Sequence, residues 1–78
     1  MKPGDKVRVI GVPDSIKGLP DESQALFEAC VGGVFKITDE REITGVGKEF
    51  ELLVSEVSMG DKYAAEFIWI ESEFIKLV

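Results

Sequence analysis

The sequence predicts a small antiparallel β-barrel, mainly β, with one short helix inserted between its first two strands. The chain opens and closes on β-rich runs, at 1–10 and 66–78, and short alternating segments with Gly, Pro and Asp turns lie between them. Closing a small sheet into a barrel removes its exposed edges. We therefore expect the two terminal strands to pair. At 78 residues the chain is long enough for one domain, which spans 1–78.

The first strand is predicted at 6–10, directly after a Pro-Gly-Asp turn. Val7 and Val9 alternate there with cationic residues, which is the two-residue period of a half-buried strand. The following segment, 11–20, contains glycine and proline at several positions and is predicted to be a loop. Such a long loop in so small a domain is a candidate site of function.

The only predicted helix begins at Asp21 and ends before Gly32 and Gly33. Asp21 is expected to cap the helix, with Gln24 completing a capping box. The paired glycines supply the left-handed residue that commonly ends a helix. Apolar residues spaced four apart form a stripe that is expected to cover an open end of the barrel. They are Leu26, Phe27, Cys30 and Val31.

Four further strands follow, separated by turns. They are predicted at 34–38, 49–54, 63–70 and 74–78, with a charged hairpin connection at 39–48 and a short turn at 71–73. Their alternate residues are expected to point inward, as in any strand with one buried face. The predicted barrel core consists of Val7, Val9, Val34 or Phe35, Ile37, Phe50, Leu52, Val54, Ile68, Ile70, Ile75 and Leu77.

Two short motifs carry a resemblance to a known family. The first strand has the pattern Gly-Asp-x-Val-x-Val at 4–9, and Gly33 introduces the strand that starts at Val34. In these motifs and in the order of its elements, the chain resembles SH3-like barrels, including the bacterial KOW-like branch. Small SH3-like accessory subunits of photosynthetic complexes and the nitrile hydratase β-subunit open similarly. The resemblance implies a five-stranded SH3-like barrel; the helix and the lack of a basic RNA-contacting surface depart from it.

The charge balance disfavours polyanionic partners. Fifteen Asp and Glu against nine Lys and Arg give a net charge of −6, whereas affinity for nucleic acids and anionic membranes comes from cationic contacts. The acidity either keeps the protein soluble or forms a face that docks on a basic partner. The N-terminal segment lacks the apolar run of a signal peptide, so we expect a cytoplasmic location. Because of its negative charge, we expect the protein to bind no membrane and no nucleic acid.

The residue types argue against an enzyme. The chain has no histidine, which excludes a Ser–His–Asp site built within it and removes the commonest metal ligand. Its single cysteine, Cys30, lies on the apolar stripe of the helix, where a buried core residue is a better interpretation than a nucleophile. We expect no catalysis, no cofactor and no bound metal.

Trp69 is the residue most typical of a binding site. If Ile68 and Ile70 point inward, the two-residue period puts Trp69 on the outer face of its strand, where a tryptophan can anchor a partner. The alternative is that Trp69 and Leu53 form the surface on which the helix packs. The candidate groove is lined by Trp69, Tyr63 and Phe74 and rimmed by Glu66, Glu71 and Glu73.

Two functions follow from this groove. The leading hypothesis is a protein-interaction module that binds a basic or proline-containing segment of another protein, because arginine can stack on the aromatic rings and pair with the carboxylates. The alternative is a structural accessory subunit of a larger complex, or a homodimer, in which Trp69 is permanently covered. Neither hypothesis involves catalysis.

Overall fold

The computed structural model describes residues 1–55 and 67–78, which form a mainly β domain. Its helices and strands are β1 Lys6–Val9, α1 Asp21–Cys30, β2 Val34–Ile43, β3 Gly47–Leu53, β4 Phe67–Glu71 and β5 Ile75–Leu77. 3₁₀ helices span Asp14–Gly18 and Ser72–Phe74. The five strands make one antiparallel sheet in the order β4-β3-β2-β1-β5, and a single α-helix lies between β1 and β2, as the sequence predicts.

The predicted pairing of the terminal strands is confirmed. β1 lies between β2 and β5, and Val9 stands opposite Ile75. Beyond the end of β5, the amide of Val78 donates to the carbonyl oxygen of Lys6 at 3.2 Å. These antiparallel hydrogen bonds join the two ends of the chain in one sheet.

Most of the predicted core is buried, and the exceptions lie at the ends of strands. Leu77 is predicted in the core but is 52% exposed, because it is the last residue of β5, a strand at the edge of the sheet. Val34 is also exposed, whereas Phe35 packs against the core. Ile16 is buried although it belongs to the predicted loop. The buried apolar residues are Val7, Val9, Ile16, Leu26, Phe27, Cys30, Ile37, Phe50, Leu52, Val54, Ile68, Ile70 and Ile75.

The predicted capping box is wrong. Pro20 is the N-cap of α1, Asp21 is already helical, and no side chain caps the first turn. The Gln24 amide instead donates to the carbonyl oxygen of Leu19 at 2.9 Å, so it holds the preceding loop rather than the helix start. The predicted end of the helix is confirmed by Gly32, which adopts a left-handed φ of 87° that a residue with a side chain rarely adopts.

The segment 39–48 is predicted to be a hairpin connection, but most of it is strand: it contains the end of β2, the turn and the start of β3. β2 continues to Ile43, and β3 begins at Gly47. Oppositely charged residues face each other across the hairpin: Glu42 stands opposite Lys48. Opposite charges on facing positions favour strand pairing, which explains how so polar a segment stays extended.

The strand β2 contains an irregularity that divides it in two. Ile37 stands opposite Leu52, but the next pairing joins Asp39 to Glu51, so one extra residue, Thr38, is accommodated on β2. Before this bulge β2 pairs with β1, and beyond it with β3 alone. Bulges bend a strand and increase its twist, which lets one strand serve both parts of the sheet.

Candidate interaction site

Trp69 lies on the outer face of the sheet, in the middle of β4. Its neighbours Ile68 and Ile70 are both buried, and Trp69 itself is half-buried opposite Glu51 on β3. The side chain therefore has the orientation that the alternation of β4 predicts.

Arg41 covers the indole ring. Its guanidinium carbon lies 4.1 Å from the centroid of the Trp69 ring, within the range of a cation–π interaction. The same guanidinium pairs with Glu49: Nη2 lies 2.7 Å and Nε 2.9 Å from one oxygen, Oε1. The Glu49 side chain is only 12% exposed, so this short charge-assisted bond neutralises a carboxylate that is mostly removed from solvent.

Three charged residues form a row across three strands on this face. Arg41 stands opposite Glu49, and Glu49 stands opposite Glu71. Arg41 therefore compensates one of two adjacent carboxylates. Within 1–55 and 67–78, Glu71 has one side-chain partner, the hydroxyl of Ser15, which donates to it over 3.4 Å. The row leaves an acidic group at the edge of the sheet that can accept a donor from another molecule.

A cleft of about 350 Å³ lies beside this row, between β4 and the segment that leads into α1. Most of its lining side chains are apolar, and the charged groups among them are Arg41, Glu49 and Glu71. A cleft with apolar walls and a few charged groups is the usual form of a binding site. Its lining residues are Pro13, Ser15, Ile16, Leu19, Ser23, Leu26, Phe27, Arg41, Glu49, Phe67, Ile68, Trp69 and Glu71.

The structure brings part of the predicted groove together. Trp69 and Glu71 line the cleft. Phe74 does not; it packs against the core near Gly11, where an added Cβ would lie 3.3 Å from its ring. Glu73 is exposed outside the cleft. Two further predicted residues, Tyr63 and Glu66, lie outside the described residues.

The cleft also contains residues that sequence reasoning missed. The sequence places Arg41 in the hairpin connection 39–48, which gives no reason to expect a contact between Arg41 and Trp69. The wall from Pro13 to Leu19 was expected to be a loop, although Ile16 and Leu19 are apolar residues in an otherwise polar stretch. That apolar character was the available signal for a packed segment. Leu53, proposed with Trp69 as a helix-packing surface, does not line the cleft, whereas Leu26 and Phe27 of α1 do.

Two further kinds of chemical group were candidates for a site, namely the thiol of Cys30 and clusters of acidic side chains. Cys30 has no exposed surface, and burial raises the pKa of its thiol to about 11, so the nucleophilic thiolate is scarce near neutral pH. In the ranges 1–55 and 67–78, no group of three Cys, Asp or Glu side chains is arranged to hold a metal ion. None of the helices in those ranges is long and apolar enough to cross a bilayer.

The fold and the cleft define a small antiparallel β domain with a helix between its first two strands. No protein-family model matches the chain, and no curated protein matches its sequence. Among solved structures, it is similar to the solution structure of the cyanobacterial cytochrome b6f complex subunit PetP. The two share 20% sequence identity with a TM-score of 0.66, over 100% of this chain and 80% of PetP. At this identity the likeness shows a common fold.

Proposed function

We propose that this chain is a non-catalytic accessory subunit that docks on a larger protein complex through the cleft beside Trp69. The observation that carries the proposal is the cleft itself, in which an outward-facing tryptophan stands between apolar walls and an acidic edge. The fold shared with PetP, a subunit of the cytochrome b6f complex, supports an accessory subunit over a free-standing peptide receptor. The proposal keeps the cytoplasmic location predicted from the sequence.

The cleft suits a partner segment with an apolar and a basic residue. Tryptophan side chains are enriched at the centres of protein interfaces, where they bury a large area at low entropic cost. Glu71 offers a carboxylate with one weak internal partner, so an arginine or lysine of the partner can pair with it. A proline of the same segment can pack on the indole. The basic or proline-containing segment expected from the sequence is therefore retained as the chemistry of the contact.

Arg41 sets a limit on how this partner binds. It already occupies one face of the indole and neutralises Glu49. A partner arginine therefore finds Glu71 as its main acceptor, unless it displaces Arg41. Because the internal pair is formed before binding, the indole is held in one orientation, which lowers the entropic cost of association.

Site-specific photo-cross-linking in the native cell tests the proposal. A cross-linking residue is placed at Ser15, inside the cleft, and in a matched control at Val46, which is exposed in the β2–β3 turn. We expect Ser15 to give a cross-link to a subunit of a larger complex, and Val46 to give none to that subunit. In native gels the chain should co-migrate with the complex, and Trp69→Ala should release it while leaving its circular dichroism unchanged.

Three outcomes would overturn the proposal. The first is a chain that migrates only as a free monomer in gently prepared extracts. The second is co-migration undiminished by Trp69→Ala. The third is a cross-link from Ser15 only to a second copy of the chain, which would replace the complex with a homodimer; light scattering on the purified protein identifies that case directly.

A further inference from the structure

The opposite end of the sheet carries a cluster of cations, which we call the basic strip. It consists of Lys6, Arg8, Lys36 and Lys76, all exposed on the outer face of β1, β2 and β5. Lys6 stands directly opposite Lys36, and Arg8 directly opposite Lys76. Four positive charges thus occupy neighbouring positions on three adjacent strands.

Folding alone does not account for this arrangement. Like charges on directly opposed positions of an antiparallel pair are destabilising. The ion pairs found within 1–55 and 67–78 involve Lys17, Arg41 and Lys48, and none of them involves the basic strip. Of the eight Lys and Arg residues within 1–55 and 67–78, four lie in the strip. Half of the positive charge of the described residues is therefore concentrated on one face.

An apolar hollow lies directly beside the strip. It has a volume of about 220 Å³, and two of the strip residues, Lys6 and Lys36, form part of its lining. The rest of the lining is Val34, Phe35 and Leu53. Val34 and Leu53 are exposed, although both are aliphatic. Cations and exposed aliphatic groups side by side match a ligand that combines negative charge with an apolar side chain.

We propose that the basic strip and its hollow bind an acidic segment of a partner protein, with carboxylates on the strip and one apolar side chain in the hollow. This is a second surface, separate from the cleft beside Trp69. Charge complementarity selects the occupant. An extended polyanion or an anionic membrane would reach past the strip to the carboxylates on the same outer face of the sheet, such as Asp39 and Glu51, which stand opposite each other on β2 and β3. A short acidic segment can contact the strip without meeting these carboxylates.

The probe is a short fluorescein-labelled peptide in which glutamate and leucine alternate. Binding is followed by fluorescence anisotropy at low and high salt, and the surface is located by amide chemical-shift changes in the isotope-labelled full chain. We expect shift changes on β1, β5 and the first half of β2, with affinity falling as salt rises. The double variant Lys36→Gln/Lys76→Gln should weaken binding about tenfold. The control variant Lys17→Gln/Lys48→Gln removes the same amount of charge outside the strip and should change the affinity for the peptide less than about twofold.

The same set of measurements can refute the proposal. Equal weakening by the two double variants would show non-specific attraction, and shift changes centred on Trp69 would place the peptide in the cleft. Strip-dependent binding of phosphatidylglycerol vesicles or single-stranded DNA more tightly than the peptide would assign the surface to a different partner. Trp69→Ala should leave peptide binding intact. The peptide measurements therefore test the basic strip independently of the docking role proposed for the cleft.

Discussion

Arg41 and Trp69 form a cation–π pair between two strands that share no hydrogen bonds. Arg41 belongs to β2 and Trp69 to β4, and β3 lies between them in the sheet. The Arg41 guanidinium also binds Glu49 on that intervening strand. One side chain thus links three strands on the outer face, and it does so at the edge of the cleft.

Arg41→Ala should lower the free energy of unfolding by about 1–3 kcal/mol. The variant loses a cation–π contact that contributes roughly 0.5–1 kcal/mol, and it leaves the mostly buried Glu49 carboxylate without its partner, which costs about 1–3 kcal/mol; the two losses share one side chain and do not add fully. Urea unfolding followed by the fluorescence of Trp69 measures the change. Arg41→Lys keeps the charge but loses the planar guanidinium, so it should restore only part of the stability. A fully stable Arg41→Ala variant would contradict the role given to this pair.

Leu26→Ala and Leu77→Ala should differ sharply, although the sequence predicts that Leu77 belongs to the barrel core and that Leu26 covers an open end of the barrel. Leu26 is 1% exposed, and truncating a buried leucine leaves a cavity that costs about 2–5 kcal/mol. Leu77 is half exposed at the end of β5, where truncation should cost less than about 1 kcal/mol. Thermal and urea unfolding of the two variants give the comparison. Equal losses would mean that β5 packs more tightly than described.

Gly33→Ala should destabilise the protein by about 1–3 kcal/mol, as overpacking of a filled site does. An added Cβ would lie 2.7 Å from the ring of Phe35 and 3.1 Å from the carbonyl oxygen of Cys30. The backbone of Gly33 cannot easily withdraw, since its carbonyl accepts a hydrogen bond from Val9. Gly18→Ala is the matched control: nothing lies within 4 Å of its added Cβ. Its unfolding free energy should stay unchanged or rise by up to about 1 kcal/mol.

Alkaline pH should destabilise the fold through Cys30. Burial raises the pKa of this thiol from 9.0 to about 11. Between these two values the unfolded chain loses the thiol proton while the folded chain keeps it, so the unfolded state binds fewer protons and the free energy of unfolding falls as pH rises. The slope from one such group is at most about 1.4 kcal/mol per pH unit. Well below pH 9.0 the thiol is protonated in both states and the effect vanishes.

Urea unfolding across this pH range compares the native chain with Cys30→Ala. The variant loses packing at every pH but lacks the titrating thiol. Its unfolding free energy should therefore fall less steeply with pH than that of the native chain. Parallel curves for the two proteins would show that the thiol is already accessible to water when folded.

The elements that could be predicted are those whose signal is local. The four-residue spacing of Leu26 and Cys30 identifies the buried face of α1, and the alternation around Trp69 gives its outward direction. Leu77 has the correct parity, opposite the buried Val7, but it lies on an edge strand, where no further strand is paired with it in the sheet of the described residues. Coverage depends on neighbouring elements, which the spacing along one strand does not contain.

The contact between Arg41 and Trp69 could not be predicted, because it depends on pairing across two strands. It requires that 39–43 be a strand, although its charged residues are typical of a loop until Glu49 and Lys48 are placed opposite. It also requires the extra residue at Thr38. Strict alternation from Ile37 would turn Arg41 toward the buried face, whereas the bulge returns it to the outer face.

Thr38 consequently has an influence well beyond its own position. The proposed peptide surface uses β2 before this residue, and the proposed docking cleft uses the hairpin beyond it. The bend of β2 therefore sets the angle between the two proposed binding surfaces. Deleting Thr38 would keep the pairing from Asp39 onward but remove the bulge, so the loss of one residue would change that angle.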